Sequence, residues 1–264
     1  MSFVLENVSF AYAEKEVLHG LNLSLEPGRF YAVLGPNGCG KSTLLDLLGG
    51  HLRPDSGRIR YRGRDLGDYS RKELAREMAL VAQNYYINFS FRVDEIMMMG
   101  RHPHIPRFSA PAERDLELVQ RTMEQAGILG FRDRLITELS GGERQRVVFA
   151  RALAQETRVL LLDEATSSLD IRHTLRMLDL AARGVREGNK TVISIFQDIN
   201  LAAARADHLL VMDKGRIAAA GPVREVLSQD LIREVFQVES RVRFEAETKA
   251  PQVIFLREAY QKLV

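Results

Sequence analysis

Gly35-Pro36-Asn37-Gly38-Cys39-Gly40-Lys41-Ser42-Thr43 fits the phosphate-binding loop pattern G-x-x-x-x-G-K-[ST]. The apolar run 30–34 before it predicts a buried strand, and residues 44–48 after it predict the start of a helix. Glycines let the backbone turn tightly, so that several N–H groups point at a polyphosphate, and the helix N-terminus adds its positive end. Lys41 is thereby placed to reach the β- and γ-phosphates of a nucleotide, and the Ser42 hydroxyl to reach Mg²⁺. A glycine-rich turn before an ordinary helix would not require Gly, Lys and Ser at these positions.

The composition of the 264 residues limits the classes of protein to consider. A content of 45% hydrophobic and 27% charged residues is typical of a globular protein with a core, and a net charge of +2 does not by itself indicate nucleic-acid binding. The single cysteine, Cys39, excludes an internal disulfide framework and fits a reducing compartment. No apolar run reaches the roughly 18 residues of a membrane span, and no signal peptide is visible. Any membrane role is therefore expected to come through a partner chain.

Strand and helix patterns around the loop predict an α/β core with a helical insertion. The strand patterns lie at residues 3–12, 21–25, 30–34, 79–82, 159–162, 191–196 and 208–212. Between residues 84 and 155 the strand patterns stop, and helices are predicted at residues 93–101, 111–127 and 141–155. The last part of the chain, residues 239–264, shows weak alternation followed by a polar helix pattern.

Polar side chains follow two of the predicted buried strands. Gln83 comes after the strand at 79–82, and Asp163 and Glu164 come directly after the strand at 159–162. In α/β proteins ligands bind at the carboxyl ends of the strands. In phosphate-loop proteins the first such carboxylate holds Mg²⁺, commonly through water, and the next can orient or deprotonate the attacking water.

The segment Ser140–Glu143 and the aromatic residue Tyr12 each have two interpretations when the residues are considered without reference to any family. Ser140 and Glu143 have capping-box spacing, which puts Gly141 and Gly142 at a helix N-terminus. That end is either a second anion site or simply a capped helix with a tight entry. Tyr12, at the end of the first strand, either stacks on a nucleotide base or covers the sheet.

Together these motifs resemble the ATP-binding subunit of an ATP-binding-cassette (ABC) transporter, over about residues 3–236. Leu139-Ser140-Gly141-Gly142-Glu143 is similar to the family signature, which separates cassette ATPases from other phosphate-loop proteins. Ser168-Leu169-Asp170 resembles the D-loop, so Asp170 joins the expected nucleotide site. Tyr12 is similar to the aromatic residue that stacks on adenine in this family.

The resemblance also implies the catalytic and metal residues. Gln83 is similar to the Q-loop glutamine, and Asp163 and Glu164 are similar to the Mg²⁺ aspartate and the catalytic glutamate. The expected metal ligands are then Ser42, Gln83 and Asp163, and the expected catalytic residues are Glu164, Gln197 and Gln83. The implied reaction is hydrolysis of ATP to ADP and phosphate.

The fold class implied by the resemblance is α/β, a phosphate-loop NTPase core with an antiparallel β subdomain and an inserted helical subdomain. It implies one cassette domain, with its core at about 1–83 and 156–238, a helical subdomain at about 84–155 and a C-terminal extension at about 239–264. The family forms a head-to-tail homodimer around two ATPs, in which the phosphate loop faces Ser140 and Gly142 of the other subunit. Membrane permease subunits dock near Gln83 in this family and receive substrate from a substrate-binding protein, which places the chain peripherally on the cytoplasmic face of the inner or plasma membrane.

Two stretches of sequence indicate the type of ABC transporter, and one residue departs from the family pattern. Gly100-Arg101-His102-Pro103-His104 and Asp198-Ile199-Asn200-Leu201-Ala202-Ala203 resemble importers of iron siderophores, haem or vitamin B12. The second stretch fixes the register and puts Gln197 where the family typically has a switch histidine. A glutamine amide can donate a hydrogen bond to the γ-phosphate, but it cannot change charge or relay a proton.

Three functions remain open at this point. The first is an ATPase subunit that powers uptake through a membrane partner. The second is a nucleotide-gated binding subunit with little turnover, which Gln197 favours and an intact Glu164 opposes. The third is a soluble cassette ATPase acting on DNA or ribosomes; the short region between Lys41 and Ser140, without sustained heptads, argues against it, as does the single cassette. No nucleic-acid partner is therefore expected.

Overall fold

A computed structural model of the chain describes residues 2–83, 89–165, 169–188 and 190–256. Within these ranges the strands are β1 Phe3–Tyr12, β2 Lys15–Leu25, β3 Phe30–Leu34, β4 Ser56–Tyr61, β5 Arg64–Asp65, β6 Met78–Val81, β7 Val159–Leu162, β8 Thr191–Ile195, β9 His208–Asp213, β10 Arg216–Pro222, β11 Ser240–Glu245 and β12 Ala250–Phe255. The helices of the same ranges are α1 Lys41–Leu48, α2 Arg71–Glu77, α3 Val93–Met99, α4 Glu113–Ala126, α5 Gly141–Ala154, α6 Ile171–Gly188, α7 Ile199–Arg205, α8 Val223–Val226 and α9 Gln229–Phe236.

The helix and strand ends follow the local signals in most places, with differences at β2, α3 and α4. α3 ends at Met99, two residues before the predicted end, because the N–H groups of Arg101 and His102 bond carbonyls three residues back in a turn. β2 begins at Lys15, although the alternation predicted a start at residue 21, because β2 pairs antiparallel with β1 from the tight turn that places Lys15 opposite Tyr12. The start of α4 is two residues later than predicted, because Ala112 is extended, with φ −76° and ψ 159°. Its end is as predicted, since Gly127 adopts the left-handed conformation that terminates helices.

The chain divides into two compact units, and the first comprises Met1–Asp68 with Ile193–Val264. This unit contains an antiparallel sheet in the order β2-β1-β4-β5, which confirms the predicted antiparallel β subdomain. It also contains strands in the order β10-β9-β3, followed by residues 193–195 of β8, where β9 runs parallel to β3 and antiparallel to β10. Every residue of β3 is buried, and α1, which follows the phosphate loop, buries six of its eight residues.

The second unit comprises Tyr69–Val192 and is mostly helical. Its strands β6 and β7 pair in parallel, with Val81 opposite Leu162 at their carboxyl ends. The helical region predicted at 84–155 contains α3, α4 and α5 in its described part, and α5 packs against the other two. Across the described ranges, no helix of the chain is both long and apolar enough to cross a membrane.

A buried ion pair fastens the helices of the second unit. Arg101 Nε donates to Asp115 Oδ1 at 2.8 Å, and the same guanidinium donates to the carbonyl of Ala154 at 2.8 Å. Burial alone would raise the pKa of Asp115, but the hydrogen bonds from Arg101 and from the Ala112 N–H bring that pKa below its ordinary value. The pair therefore ties the start of α4 to the end of α5 and to the loop after α3.

The C-terminal extension forms a hairpin within the first unit. β11 and β12 pair antiparallel from Ser240 opposite Phe255 to Glu245 opposite Ala250, so the weak alternation in this part does correspond to strands. The polar helix predicted at the very end falls on residues 257–264, which lie outside the described residues. The division into one cassette domain with core, helical subdomain and extension stays a prediction.

Candidate active site

The phosphate loop packs closely against its own unit at two glycines. Gly35 has φ +149°, and a Cβ there would lie 2.2 Å from the carbonyl oxygen of Met212 on β9. Gly40 has φ +100°, and a Cβ there would lie 2.6 Å from Leu18 Cδ2. Both positions therefore exclude larger residues, for reasons of backbone conformation and of space. The loop is held by its backbone in the turn that the sequence pattern predicts.

Lys41 is buried, and its ammonium group is bound by the loop itself. Its Nζ donates to the carbonyl of Gly35 at 2.8 Å and to that of Pro36 at 2.9 Å, and the residue is only 8% exposed. Ser42, the next residue, is exposed, and both lie in the first turn of α1. The loop therefore presents a cation beside the positive end of a helix, which is an arrangement suited to a polyphosphate.

Cys39 is shielded from solvent, unlike Asn37 and Gly38 beside it. The residue is 5% exposed, and burial raises the pKa of its thiol above the ordinary value, although Lys41 acts in the opposite direction. A thiol with a raised pKa is a poor nucleophile, because the thiolate is the reactive form. The side chain therefore packs rather than reacts.

The turn between β9 and β10 supports the phosphate loop from behind. The N–H of Gly215 donates to the carbonyl of Cys39 at 3.2 Å, and the carbonyl of Gly215 accepts from the N–H of His19 at 3.0 Å. Gly215 has φ +74°, and a Cβ there would lie 2.3 Å from the carbonyl oxygen of Val17. The sequence predicts this turn but not its contact with the loop, since nothing local connects residues so far apart in the chain.

Two more expected site residues lie in the first unit, and both are exposed. Tyr12 is 49% exposed at the end of β1, and its ring and that of Phe10 are nearly perpendicular, with centroids 4.9 Å apart. Gln197 follows β8 and precedes α7, whose N-cap, Asp198, accepts from the N–H of Asn200 at 2.8 Å. A ligand can therefore reach both the aromatic ring and the amide.

In the second unit, the carboxyl ends of β6 and β7 bring Gln83 and Glu164 together. Gln83 Nε2 donates to Glu164 Oε2 at 2.7 Å. The N–H of Asp163 donates to the carbonyl of Val81 at 2.9 Å and so continues the strand pairing to the carboxylates. Glu164 itself has φ +47°, a left-handed conformation that is uncommon for a non-glycine residue and is found preferentially at functional sites.

The segment after Glu164 is held by Gln145, a residue that none of the sequence motifs assigns to the site. Gln145 on α5 is 9% exposed, and its Nε2 donates to the carbonyl of Ala165 at 2.9 Å. A glutamine in the second turn of the signature helix is the only sequence signal for this role. Residues 166–168 of the expected D-loop lie outside the described residues, while Asp170 accepts from the N–H of His173 at 2.9 Å at the start of α6.

The signature segment forms the capping box that its spacing predicts. Ser140 is the N-cap of α5: its Oγ accepts from the N–H of Glu143 at 3.4 Å, and its own N–H donates to the Glu143 carboxylate at 2.8 Å. This N–H holds the pKa of Glu143 below its ordinary value. Gly141 lies in the first turn, and a Cβ there would have open space around it. Both interpretations of this end, a capped helix and an anion site, are compatible with this geometry.

Two of the expected metal ligands, Ser42 and Asp163, carry side-chain oxygen atoms of the kind that Mg²⁺ prefers. Across the described parts of the chain, no group of three or more His, Cys, Asp and Glu residues forms a cage. Mg²⁺ in nucleotide sites takes only one or two protein oxygens and binds substrate phosphates and water for the rest. Ser42 is exposed and Asp163 is partly exposed, each within its own unit, so that solvent reaches both residues.

Comparison with known proteins identifies relatives along most of the chain. A family model described as ABC transporter matches residues 18–167. The hemin import ATP-binding protein HmuV of Rhodopseudomonas palustris (strain HaA2) is 43% identical over 256 residues, covering 93% of this chain and 95% of that protein. The ferric enterobactin transport ATP-binding protein FepC of Escherichia coli (strain K12) is 37% identical over 231 residues, covering 88% and 85%.

Solved structures show the same similarity. An inward-facing ABC transporter of the metal-chelate type matches with a TM-score of 0.82 and 30% identity, over 98% of this chain and 99% of that one. A dimer of the ATP-binding cassette MJ0796 with ADP and Pi bound, in a post-hydrolysis state, matches with a TM-score of 0.74 and 25% identity, over 83% and 98%.

Proposed function

The chain belongs to the ABC transporter family, and from this premise we propose how its residues bind and hydrolyse ATP. It is an ATP-hydrolysing subunit that dimerises and powers import through a separate membrane permease. The interpretation as a binding subunit with little turnover has no support among the relatives. We propose the roles of the individual residues, the identity of the metal and the class of the imported substrate.

ATP is bound in this proposal mainly by backbone and by one cation. The N–H groups of the phosphate loop and of the first turn of α1 point at the phosphates, and Lys41 leaves its carbonyl partners in the loop for the β- and γ-phosphates. Lys41 carries this role because its Nζ lies 2.8 Å from Gly35 O, within the loop that would surround the ligand. The exposed ring of Tyr12 stacks on adenine.

Mg²⁺ would be held by the Ser42 hydroxyl, by Asp163 through water and by the side-chain oxygen of Gln83. Bound there, it would supply charge neutralisation for the phosphates. Asp163 is suited to this by the strand hydrogen bond of its N–H to Val81, which fixes the residue at the end of β7. Ser42 is held in the first turn of α1.

Glu164 is the proposed general base. It takes a proton from the attacking water while the water oxygen bonds to the γ-phosphorus and the bond from that phosphorus to the bridging oxygen of ADP breaks. The Gln83 amide, 2.7 Å from Oε2, orients the Glu164 carboxylate for this step. Gln197 donates its amide N–H to a γ-phosphate oxygen, where it takes the place of the family's switch histidine. Across the dimer, Ser140, the N–H of Gly142 and Asp170 complete the site on the partner's ATP.

The imported substrate belongs to the class of iron siderophores, haem or cobalamin. The relatives named for hemin and ferric enterobactin transport support this class, as does the likeness to a metal-chelate transporter. Permease subunits are the direct partners, and a substrate-binding protein delivers to them. The protein then works on the cytoplasmic face of the membrane, as a peripheral subunit.

One observation carries the catalytic assignment, the hydrogen bond between Gln83 and Glu164 at adjacent strand ends. The test is steady-state ATP hydrolysis by the purified chain, with and without its permease, for Glu164→Gln and for the control Glu117→Gln. Glu117 is an exposed glutamate on α4. We expect Glu164→Gln to lose roughly 10²–10⁴ in kcat with ATP affinity retained, and Glu117→Gln to match the parent. Equal turnover in both variants would remove Glu164 from the mechanism.

A further inference from the structure

The C-terminal hairpin is fastened to the first unit by the side chain of Asn200. Asn200 Oδ1 accepts from the N–H of Val253 at 2.7 Å, and Asn200 Nδ2 donates to the carbonyl of Val253 at 3.1 Å. The two bonds copy those that a neighbouring strand would make at the outer edge of β12. Because both backbone groups of Val253 are used in this way, its pairing with Val242 on β11 is of the kind without hydrogen bonds between the two residues.

The same residue lies three positions after Gln197. Asn200 is in the first turn of α7, and its N–H donates to Oδ1 of Asp198, which directly follows Gln197. On the other side of Gln197, the N–H of Phe196 donates to the carbonyl of Val33 at 3.1 Å, and Val33 belongs to the strand that leads into the phosphate loop. The backbone on either side of Gln197 is therefore held by hydrogen bonds, to β3 before it and within the start of α7 after it.

The start of α7 needs an attachment of this kind. The helix has seven residues, and helices of this length are not stable by themselves, so their position depends on outside contacts. The bonds of Asn200 to Val253 supply such a contact at the first turn, the turn nearest Gln197. Displacement there would move Gln197 directly, because two residues separate the two positions.

The hairpin itself has other attachments. Arg224 donates to the carbonyl of Lys249 at 3.1 Å, and its guanidinium lies 4.7 Å from the ring centre of Phe244. Arg233 bonds both carboxylate oxygens of Glu239, at 2.8 and 3.1 Å, just before β11. Loss of the Asn200 bonds should therefore leave the hairpin folded and α7 formed, since Ile199 stays buried and Asp198 still caps the helix, and should remove only the hydrogen bonds that fix the first turn of α7 against β12.

We propose that Asn200 is a positioning residue through which the hairpin β11–β12 holds Gln197 in place for ATP hydrolysis. The hairpin thereby becomes part of the catalytic apparatus without touching the nucleotide. This inference rests on the proposed role of Gln197 at the γ-phosphate.

The test is a double-mutant cycle measured by steady-state ATP hydrolysis of the full chain. Asn200→Ala removes both bonds from the side of α7, and Val253→Pro removes the N–H from the side of the hairpin, at a strand edge where proline is tolerated. Asn22→Ala is the control, because Asn22 also makes two side-chain bonds to backbone in this unit, with Asn7 and Gly20. Each variant is measured with Gln197 and with Gln197→Ala.

We expect Asn200→Ala and Val253→Pro each to lower kcat about tenfold with KM for ATP unchanged, since small misplacements of a catalytic group can cost up to about a hundredfold. In the Gln197→Ala background neither should lower kcat further, because the group they position is already gone. Asn22→Ala should leave kcat unchanged in both backgrounds.

The outcomes separate this inference from the role of Gln197. If Gln197→Ala has normal kcat, the proposed role of Gln197 fails, and the inference fails with it. If Gln197→Ala is slow but Asn200→Ala is normal, or lowers kcat equally in both backgrounds, the role of Gln197 stands and the positioning by Asn200 is overturned. Circular dichroism melts of all variants exclude loss of kcat through unfolding.

Discussion

Gln83 Nε2 lies 2.7 Å from Glu164 Oε2, so the amide at one strand end binds the carboxylate at the next. The two residues are 81 positions apart in sequence and meet because β6 and β7 are parallel neighbours. The bond has a consequence for catalysis, because it restricts rotation of the Glu164 carboxylate. It also leaves the other carboxylate oxygen, Oε1, to face the attacking water in the proposed mechanism.

Removal of the Gln83 amide is the first prediction. Gln83→Ala should lower kcat about tenfold or more, because a hydrogen bond to a charged group contributes roughly 1.5–3 kcal/mol. Gln83→Glu should be worse, since a second carboxylate would replace the hydrogen-bond donor beside Glu164 and repel it. Single-turnover hydrolysis at saturating ATP measures the effect. Variants of Gln83 with the parent rate would exclude this bond from the mechanism.

The second prediction concerns the switch position. Gln197→His should raise kcat several-fold. Complete loss of a transition-state hydrogen-bond donor costs roughly 10²–10³ in rate. The gain should be smaller than that, because a glutamine amide that reaches the γ-phosphate oxygen already supplies one donor. The histidine variant should also acquire a dependence of kcat on pH near the ordinary imidazole pKa of about 6.5, which a glutamine at this position does not provide. Rates measured from about one pH unit below that pKa to about two above it test both statements. A histidine variant with no gain at any pH would contradict them.

Gly215→Ala should weaken nucleotide binding through the phosphate loop. The added Cβ would lie 2.3 Å from Val17 O at a φ of +74°, and the displaced turn carries the N–H that binds Cys39 O. We expect a loss of stability of about 1–3 kcal/mol and a fall in ATP affinity, measured by denaturant unfolding and by calorimetry. Gly63→Ala is the control, because Gly63 has φ +85° but a Cβ there meets nothing within 4 Å. A similar fall in ATP affinity for both variants would mean that the contact with Cys39 is unimportant.

The buried pair Arg101–Asp115 predicts a pH dependence of stability. The pKa of Asp115 is lowered in the folded state, so the stabilisation is present above the unfolded pKa of about 3.9 and is lost as pH falls through the folded value. Asp115→Asn should therefore cost stability at neutral pH, by less than the roughly 3 kcal/mol of a buried charge without any partner, because Glu156 lies 3.6 Å from the Arg101 guanidinium and still compensates its charge. The difference in unfolding free energy between Asp115→Asn and the parent should shrink below about pH 4. Glu117→Gln, an exposed acid on the same helix, should show no such difference, and a gap that persists at low pH would exclude the ion pair as its cause.

Local sequence was sufficient for part of the site and insufficient for the rest. The phosphate loop and the Ser140–Glu143 capping box are formed by residues within a few positions of one another, so their geometry follows from the motif. The bonds of Gln83 to Glu164 and of Asn200 to Val253 span 81 and 53 positions, and no periodicity records them.

The positions of the strands likewise follow from local sequence in some places and from pairing with distant strands in others. β3 and β7 are short apolar runs and are found where predicted. β2 begins before its alternation does, because β1 imposes the pairing. The alternation of apolar and polar residues predicts the hairpin β11–β12 only weakly, since most of its residues are at least partly exposed and are not consistently apolar.

The packing of Cys39 has a practical consequence for spectroscopy. The chain has one cysteine, and that thiol is buried with a raised pKa, so reagents that attack thiolates should leave it unlabelled in the folded protein. A cysteine introduced at an exposed position, such as Leu116→Cys on α4, would then carry a fluorophore or spin label alone, without removal of the native thiol. The distance between two such labels in the dimer would report the opening and closing of the subunits through each cycle of ATP hydrolysis.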